Sequence, residues 1–141
     1  MFTFFDSTFT TTTKQAIFFA LLTIAALALP AQAKAGTLTG DAIGKTIGGH
    51  TLVLSAMGVQ LPIAYRANGT MTGSMAAYVA SLAGESRLSD SGKWWIQGGR
   101  LCQRWNSWLD GKTYCFTLSS SGSLIHWSAG SGQSGTARIS N

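Results

Sequence analysis

The sequence predicts an all-β fold: a small antiparallel up-and-down barrel, or a curled meander, of about seven or eight strands with a short N-terminal helical turn. Turn signals rich in glycine, asparagine and serine recur at roughly ten-residue spacing. Between Gly92 and Trp127, successive hairpins can be registered so that they agree on a single apolar face. The two cysteines of the chain, Cys102 and Cys115, then fall on directly opposed strand positions.

The first 33 residues are set apart from the fold. Ala16–Leu29 is an uncharged apolar run preceded by Lys14 and broken by Pro30, and Ala31-Gln32-Ala33 supplies a small-x-small cleavage pattern. Met1–Ala33 is therefore expected to be a signal peptide cleaved near Ala33, and the remainder, 34–141, a single β-domain stapled by a disulfide. The run is shorter than the ~20 apolar residues of a comfortable membrane span, so no stable transmembrane anchor is expected. No cysteine follows it to carry a lipid. Export predicts a periplasmic or secreted protein, where two cysteines read as one structural disulfide. In the chain-entropy model a loop of that size contributes about 3 kcal/mol.

From residue 36 onward, Gly36–Gly49 reads as a short helical entry. Thr39 is its cap, Asp41 lies in its first turn, Leu38, Ile43 and Ile47 face the body, and Gly48-Gly49 ends it. His50–Ser55 is a strand. Val59–Arg66 is the next, placed at an edge or made irregular by Pro62. Asn68-Gly69 is the strongest hairpin signal; a two-residue turn there pairs Tyr65 with Thr72 and Ala67 with Thr70. Asn68-Gly69-Thr70 also matches a glycosylation sequon, which the turn explains fully. Met75–Gly84 is compatible with either a helical turn or a strand. Glu85–Gly92 is a polar loop. Thr136–Ser140, after a loop of glycine and serine, is a last strand that closes the sheet.

The central stretch allows the registers to be worked out. Gly98-Gly99 makes a two-residue turn that sets Trp95 opposite Cys102 and Trp94 opposite Gln103. Placing Cys102 opposite Cys115 sets Leu101 against Phe116 and Trp105 against Lys112, and leaves Ser107–Asp110 as a loop. A turn at Ser121-Gly122 sets Leu118 against Ile125 and Phe116 against Trp127. Because side chains alternate along a strand, these registers gather Trp94, Ile96, Leu101, Trp105, Tyr114, Phe116, Leu118, Ile125 and Trp127 on one face. Gln103 is the misfit. Lys93, Trp95, Cys102, Arg104, Cys115, Thr117, Leu124 and His126 take the other, mixed face. So bulky an apolar face argues for a barrel filled by its own side chains and against a ligand cavity.

Residues that could carry chemistry are few. His50, His126, Cys102, Cys115 and the carboxylates have no metal-ligand spacing, so neither a metal nor a cofactor is expected. Nucleophilic catalysis would need His50 or His126 beside a serine and an acid, and no G-x-S-x-G is present. A glycosidase would need two carboxylates, whereas Glu85, Asp90 and Asp110 all fall in expected loops or turns. A minor hydrolase using His50 or His126 is the remote alternative. The domain carries nine basic and four acidic residues; the excess reads first as solubility, and an anionic envelope polymer or a protein is the candidate partner. The basic residues are scattered and form no nucleic-acid patch. Trp108, in a loop between Ser107 and Leu109, either stacks on a sugar ring or another interface as an exposed aromatic, or folds back over the barrel mouth. With Lys112 and Arg104 nearby, it is the candidate binding residue.

The pattern formed by Asn68-Gly69, Gly73, Gly92, Trp94 or Trp95, Gly99, Leu101-Cys102, Trp105, Cys115-Phe116 and the closing Gly135–Ile139 resembles a group of small exported proteins from alphaproteobacteria of unknown function. The resemblance spans most of the domain. Its motifs are turn glycines, core tryptophans and a disulfide, so it implies a shared fold and export but no activity. A second likeness, to periplasmic lysozyme inhibitors, is disfavoured because lysozymes are usually basic and so is this chain. The expectation is an exported, non-enzymatic β-barrel protein of the cell envelope with a binding or structural role. A carbohydrate- or polymer-binding module using Trp108 is the first alternative.

Overall fold

The computed structural model describes residues 35–141 apart from Met57, so the expected signal peptide lies outside the described residues. The described residues belong to the compact unit Gln32–Asn141. Strands β2 (His50–Ala56), β3 (Val59–Tyr65), β4 (Thr70–Ser74), β5 (Ser89–Gln97), β6 (Arg100–Trp105), β7 (Thr113–Ser121), β8 (Leu124–Ala129) and β9 (Ser134–Ser140) pair in sequence order, each antiparallel to the next. Pairing of β9 back onto β2, with Leu52 opposite Ile139 and Leu54 opposite Ala137, closes an eight-stranded barrel. The short strand β1 (Gly36–Leu38) adds to β7 where β6 leaves off, pairing Leu38 with Leu118. No helix among the described residues is long and apolar enough to cross a membrane.

The predicted registers hold for β5–β6 and β6–β7. Cys102 and Cys115 are opposed and joined by a disulfide. The β7–β8 hairpin is shifted by two residues, with Leu118 opposite Trp127 and Phe116 opposite Ala129. An even shift leaves every side chain on its predicted face. The Asn68-Gly69 hairpin differs by one residue. Tyr65 opposes Met71, and the Arg66 N–H bonds to the Thr70 carbonyl across a three-residue loop. Asn68 Oδ1 accepts from the Thr70 N–H at 3.1 Å, and Gly69 supplies the positive φ of 84° that this longer turn needs. That odd shift turns Met71 and Gly73 inward in place of Thr72.

Other boundaries also move. The predicted N-terminal helical stretch starts as a strand, β1, and only Asp41–Ile47 forms helix α1. Its N-cap is Gly40. Thr39 takes part through its backbone carbonyl, which accepts from the Ala42 N–H, not through a side-chain cap. Met75–Gly84 resolves as helix α2, Ala77–Ala83, ended by Gly84 in the left-handed conformation. Strand β5 begins inside the predicted polar loop, so Asp90 is a strand residue opposite Gly73 and not a turn residue. Pro62 sits beyond the pairing of β3 with β4, which covers Ile63–Tyr65. Its missing N–H is tolerated at this local edge of a closed barrel.

The two ends of the barrel differ. At one end are the tight turns after β3, β5 and β7, together with α1. Ile43 and Ile47 of α1 are fully buried in the core cluster. The indole of Trp94 donates to the Arg66 carbonyl at 2.9 Å and meets Tyr65 edge-on at 5.9 Å. This end is plugged. At the other end lie α2, the Trp108–Gly111 turn and the loops after β2 and β8.

Candidate ligand cavity

Above the plug a pocket opens between the strands. A cavity of about 410 Å³ is walled by Leu52 and Leu54 of β2, Leu61 and Ile63 of β3, Phe116 and Leu118 of β7, Ile125 of β8 and Ala137 of β9. The expectation of a filled interior holds in part: Leu52, Ile63, Leu118, Ile125 and Ala137 belong to one buried core cluster, and this space remains beside them. The bulky residues are present, but they are not spread evenly. Trp94 joins α1 at the closed end. Trp105 and Trp108 pack against each other with ring centroids 4.8 Å apart and ring planes tilted by 50°. They lie against Gly73, where a Cβ would come within 2.8 Å of both rings. These two tryptophans thus lie against the β4 side of the barrel, whereas Trp127 of β8 lies against Gly135 of β9 and also lines the cavity. Its size falls within the ~300–1,000 Å³ of small-molecule sites.

Polar groups reach this space at two levels. Next to the plug, the Tyr65 phenol donates to Gln103 Oε1 at 2.8 Å. Gln103 is only 6% exposed, so the misfit on the apolar face is a buried amide that borders the cavity. Burial pushes the Tyr65 phenol far above its ordinary value, so it stays a neutral donor. At the mouth, Met75, Val79 and Ala83 from α2 and its approach meet Glu85, Leu109 and Gln133. Glu85 Oε1 accepts the Leu109 N–H at 2.8 Å and ties the two rim loops together.

Asp90 holds the same rim from the strand below. Its Oδ2 accepts from the Ser107 N–H at 2.7 Å and the Trp108 N–H at 2.8 Å. Burial alone would raise the carboxyl. The N–H groups of Trp108, Ser107 and Ser91 and the charge of Arg87 outweigh it and hold it below its ordinary value. The loop so held is strained, with φ of 54° at Leu109 and 57° at Asp110.

The candidate binding residues are separated by this arrangement. Trp108 is 2% exposed, not an exposed loop aromatic, and its indole N–H bonds to the Arg87 carbonyl at 2.9 Å. It has folded over the mouth, the second course the sequence left open, and it lines the cavity. Arg104 and Lys112 stay outside: Arg104 Nε donates to the Gly111 carbonyl and Lys112 pairs with Asp110 at the surface. Exposed apolar side chains do occur at this end, at Tyr78 and Leu82 of α2 and at Leu88 and Leu109.

The histidines and the acids are not brought together. His50 opens β2 beside Tyr65 at the plugged end, and His126 is exposed on the outer face of β8. Glu85, Asp90 and Asp110 occupy the mouth, each with the partners already given. No group of three metal-ligating side chains occurs among the described residues. Sequence reasoning missed Tyr65, Gly73 and the aliphatic wall of β2, β3 and β9 as site residues. The one signal available was the polar Gln103 on an apolar face.

Comparison with protein-family models, with curated proteins and with solved structures finds no match.

Proposed function

We propose that this chain is an exported, non-enzymatic envelope protein that holds a small apolar molecule inside its barrel. The observation that carries the reading is the cavity of about 410 Å³, walled by aliphatic and aromatic side chains, plugged at one end and bordered by a helix and two tied loops at the other. Apolar lining with few convergent polar groups is the usual character of a small-molecule site. The setting rests on the apolar leader-like run, on the resemblance to small exported proteins and on the disulfide, which suits an oxidising compartment. Binding of a glycan by stacking on Trp108 would need an open ring face, so the binding role passes from the outer surface to the interior.

The test is a fluorescence titration with the neutral apolar dye N-phenyl-1-naphthylamine. The protein binds one dye per chain with enhanced emission, and Ala137→Trp, which fills the cavity from β9, abolishes the enhancement while the protein stays folded by circular dichroism. Dye binding that survives this substitution places the apolar site elsewhere and defeats the reading.

A further inference from the structure

The fold sorts charge along the barrel. The basic residues are scattered in the sequence, but strands of alternating direction carry their turns to one end or the other. At the plugged end Lys45 lies in the last turn of α1 and Arg66 in the loop after β3. Arg100 opens β6 there, and Arg138 of β9 lies opposite Leu124, where β8 begins. All four are exposed, and their side chains make no hydrogen bond or ion pair among the described residues. The acids go the other way. Glu85, Asp90 and Asp110 lie at the mouth, where Arg87, Arg104 and Lys112 stand beside them. Asp41 is the one acidic side chain at the plugged end among the described residues. The mouth is thus balanced and the plugged end is positive. Its four cations do not line a groove that could track a polymer strand. They stand around the rim of the barrel end and on the short helix that closes it, beside the exposed apolar side chain of Ile96, which packs against Gly44. Such a positive face is complementary to a flat anionic surface, where each cation within a Debye length adds to the attraction.

We propose that the plugged end docks on an anionic lipid surface and leaves the mouth of the barrel turned away from it. The proposal does not depend on what the cavity holds. The test is co-sedimentation of the full-length protein with vesicles of phosphatidylcholine, alone or mixed equally with phosphatidylglycerol, at low salt. Every protein compared carries the same N-terminal apolar run, so differences between vesicles and between variants read charge alone. The wild type is expected to bind the phosphatidylglycerol vesicles more tightly, and added salt should release it. Lys45→Gln/Arg66→Gln/Arg100→Gln should weaken that binding on the order of a hundredfold, at about fivefold per cation. Arg87→Gln/Lys93→Gln/Lys112→Gln removes the same charge from the mouth and wall and should weaken it less than about tenfold. The three plugged-end single substitutions, each about fivefold, serve if the triple variant does not fold. Equal binding to both vesicles, or equal loss in the two triple variants, overturns the proposal. Loss on Leu82→Ser with the plugged-end cations intact places the contact at the mouth and also overturns it. Binding to dextran sulfate without binding to phosphatidylglycerol vesicles overturns it in favour of an anionic polymer.

Discussion

At Gly73 the absence of a side chain decides how two tryptophans pack. The space that a Cβ would take is filled by the rings of Trp105 and Trp108, each 2.8 Å from it. Gly73→Ala is expected to cost about 1–3 kcal/mol, the usual range for overpacking. The fall should appear in urea unfolding together with a changed near-ultraviolet signal from the tryptophan pair. An unchanged midpoint and spectrum would count against this close packing. Asp90 makes a different kind of contribution. Its carboxyl is held below the ordinary carboxylate value, so its stabilisation is fully present above the unfolded value and is lost as pH falls through the lower folded one. Asp90→Asn should therefore unfold at a lower denaturant concentration than wild type at neutral pH, and the gap should close as the pH drops below the ordinary carboxylate range. A gap that is constant with pH would show that the charge is immaterial. Gln103 illustrates what single residues can disclose in advance. Its polarity on an apolar face was legible, but its partner Tyr65 lies 38 positions earlier and meets it only across the assembled barrel.

The elements divide the work between a stiff wall and a shaped mouth. The β6–β7 hairpin is fixed by the Cys102–Cys115 disulfide, and placing the two cysteines opposite each other is what gives its register. Cys115→Ser is expected to cost about 2–5 kcal/mol, as for other small disulfide domains. Denaturant unfolding of the oxidised proteins measures it, and an unshifted midpoint would show the bond to be dispensable. The Trp108–Gly111 turn is shaped by Asp90 and Glu85 against its own backbone preference. Asp110→Gly should relieve the left-handed strain and leave stability unchanged or higher by up to ~1 kcal/mol, because the exposed pair it removes with Lys112 contributes little. A clear loss of stability would mean that the pair matters more than the strain. Helix α2 was ambiguous in the sequence because its alanines and Tyr78-Val79 fit either period over so short a span. Its identity is settled by its place over the mouth, which is a tertiary matter.

For the whole molecule, the order of the strands and the inward face were readable because each hairpin is local and an even register slip changes no face. The one odd slip, at Asn68-Gly69, moved Gly73 inward. With it went part of the expectation of a filled interior, because a glycine there lets Trp105 and Trp108 crowd one wall. Cavity volume is not a local property: it depends on how eight strands close and on which end a helix plugs. The binding candidate Trp108 was found by its composition and loop position, but its burial was hidden until the β4–β5 and β6–β7 connections met. The central claim, that the closed barrel binds an apolar molecule inside, is tested most directly by methyl-selective NMR during titration with N-phenyl-1-naphthylamine. Shifts confined to Leu52, Leu61, Ile63, Leu118 and Ile125 are the predicted result. Shifts confined to Leu82 and Leu88 on the exposed surface of the mouth, with those inner methyls silent, would contradict it.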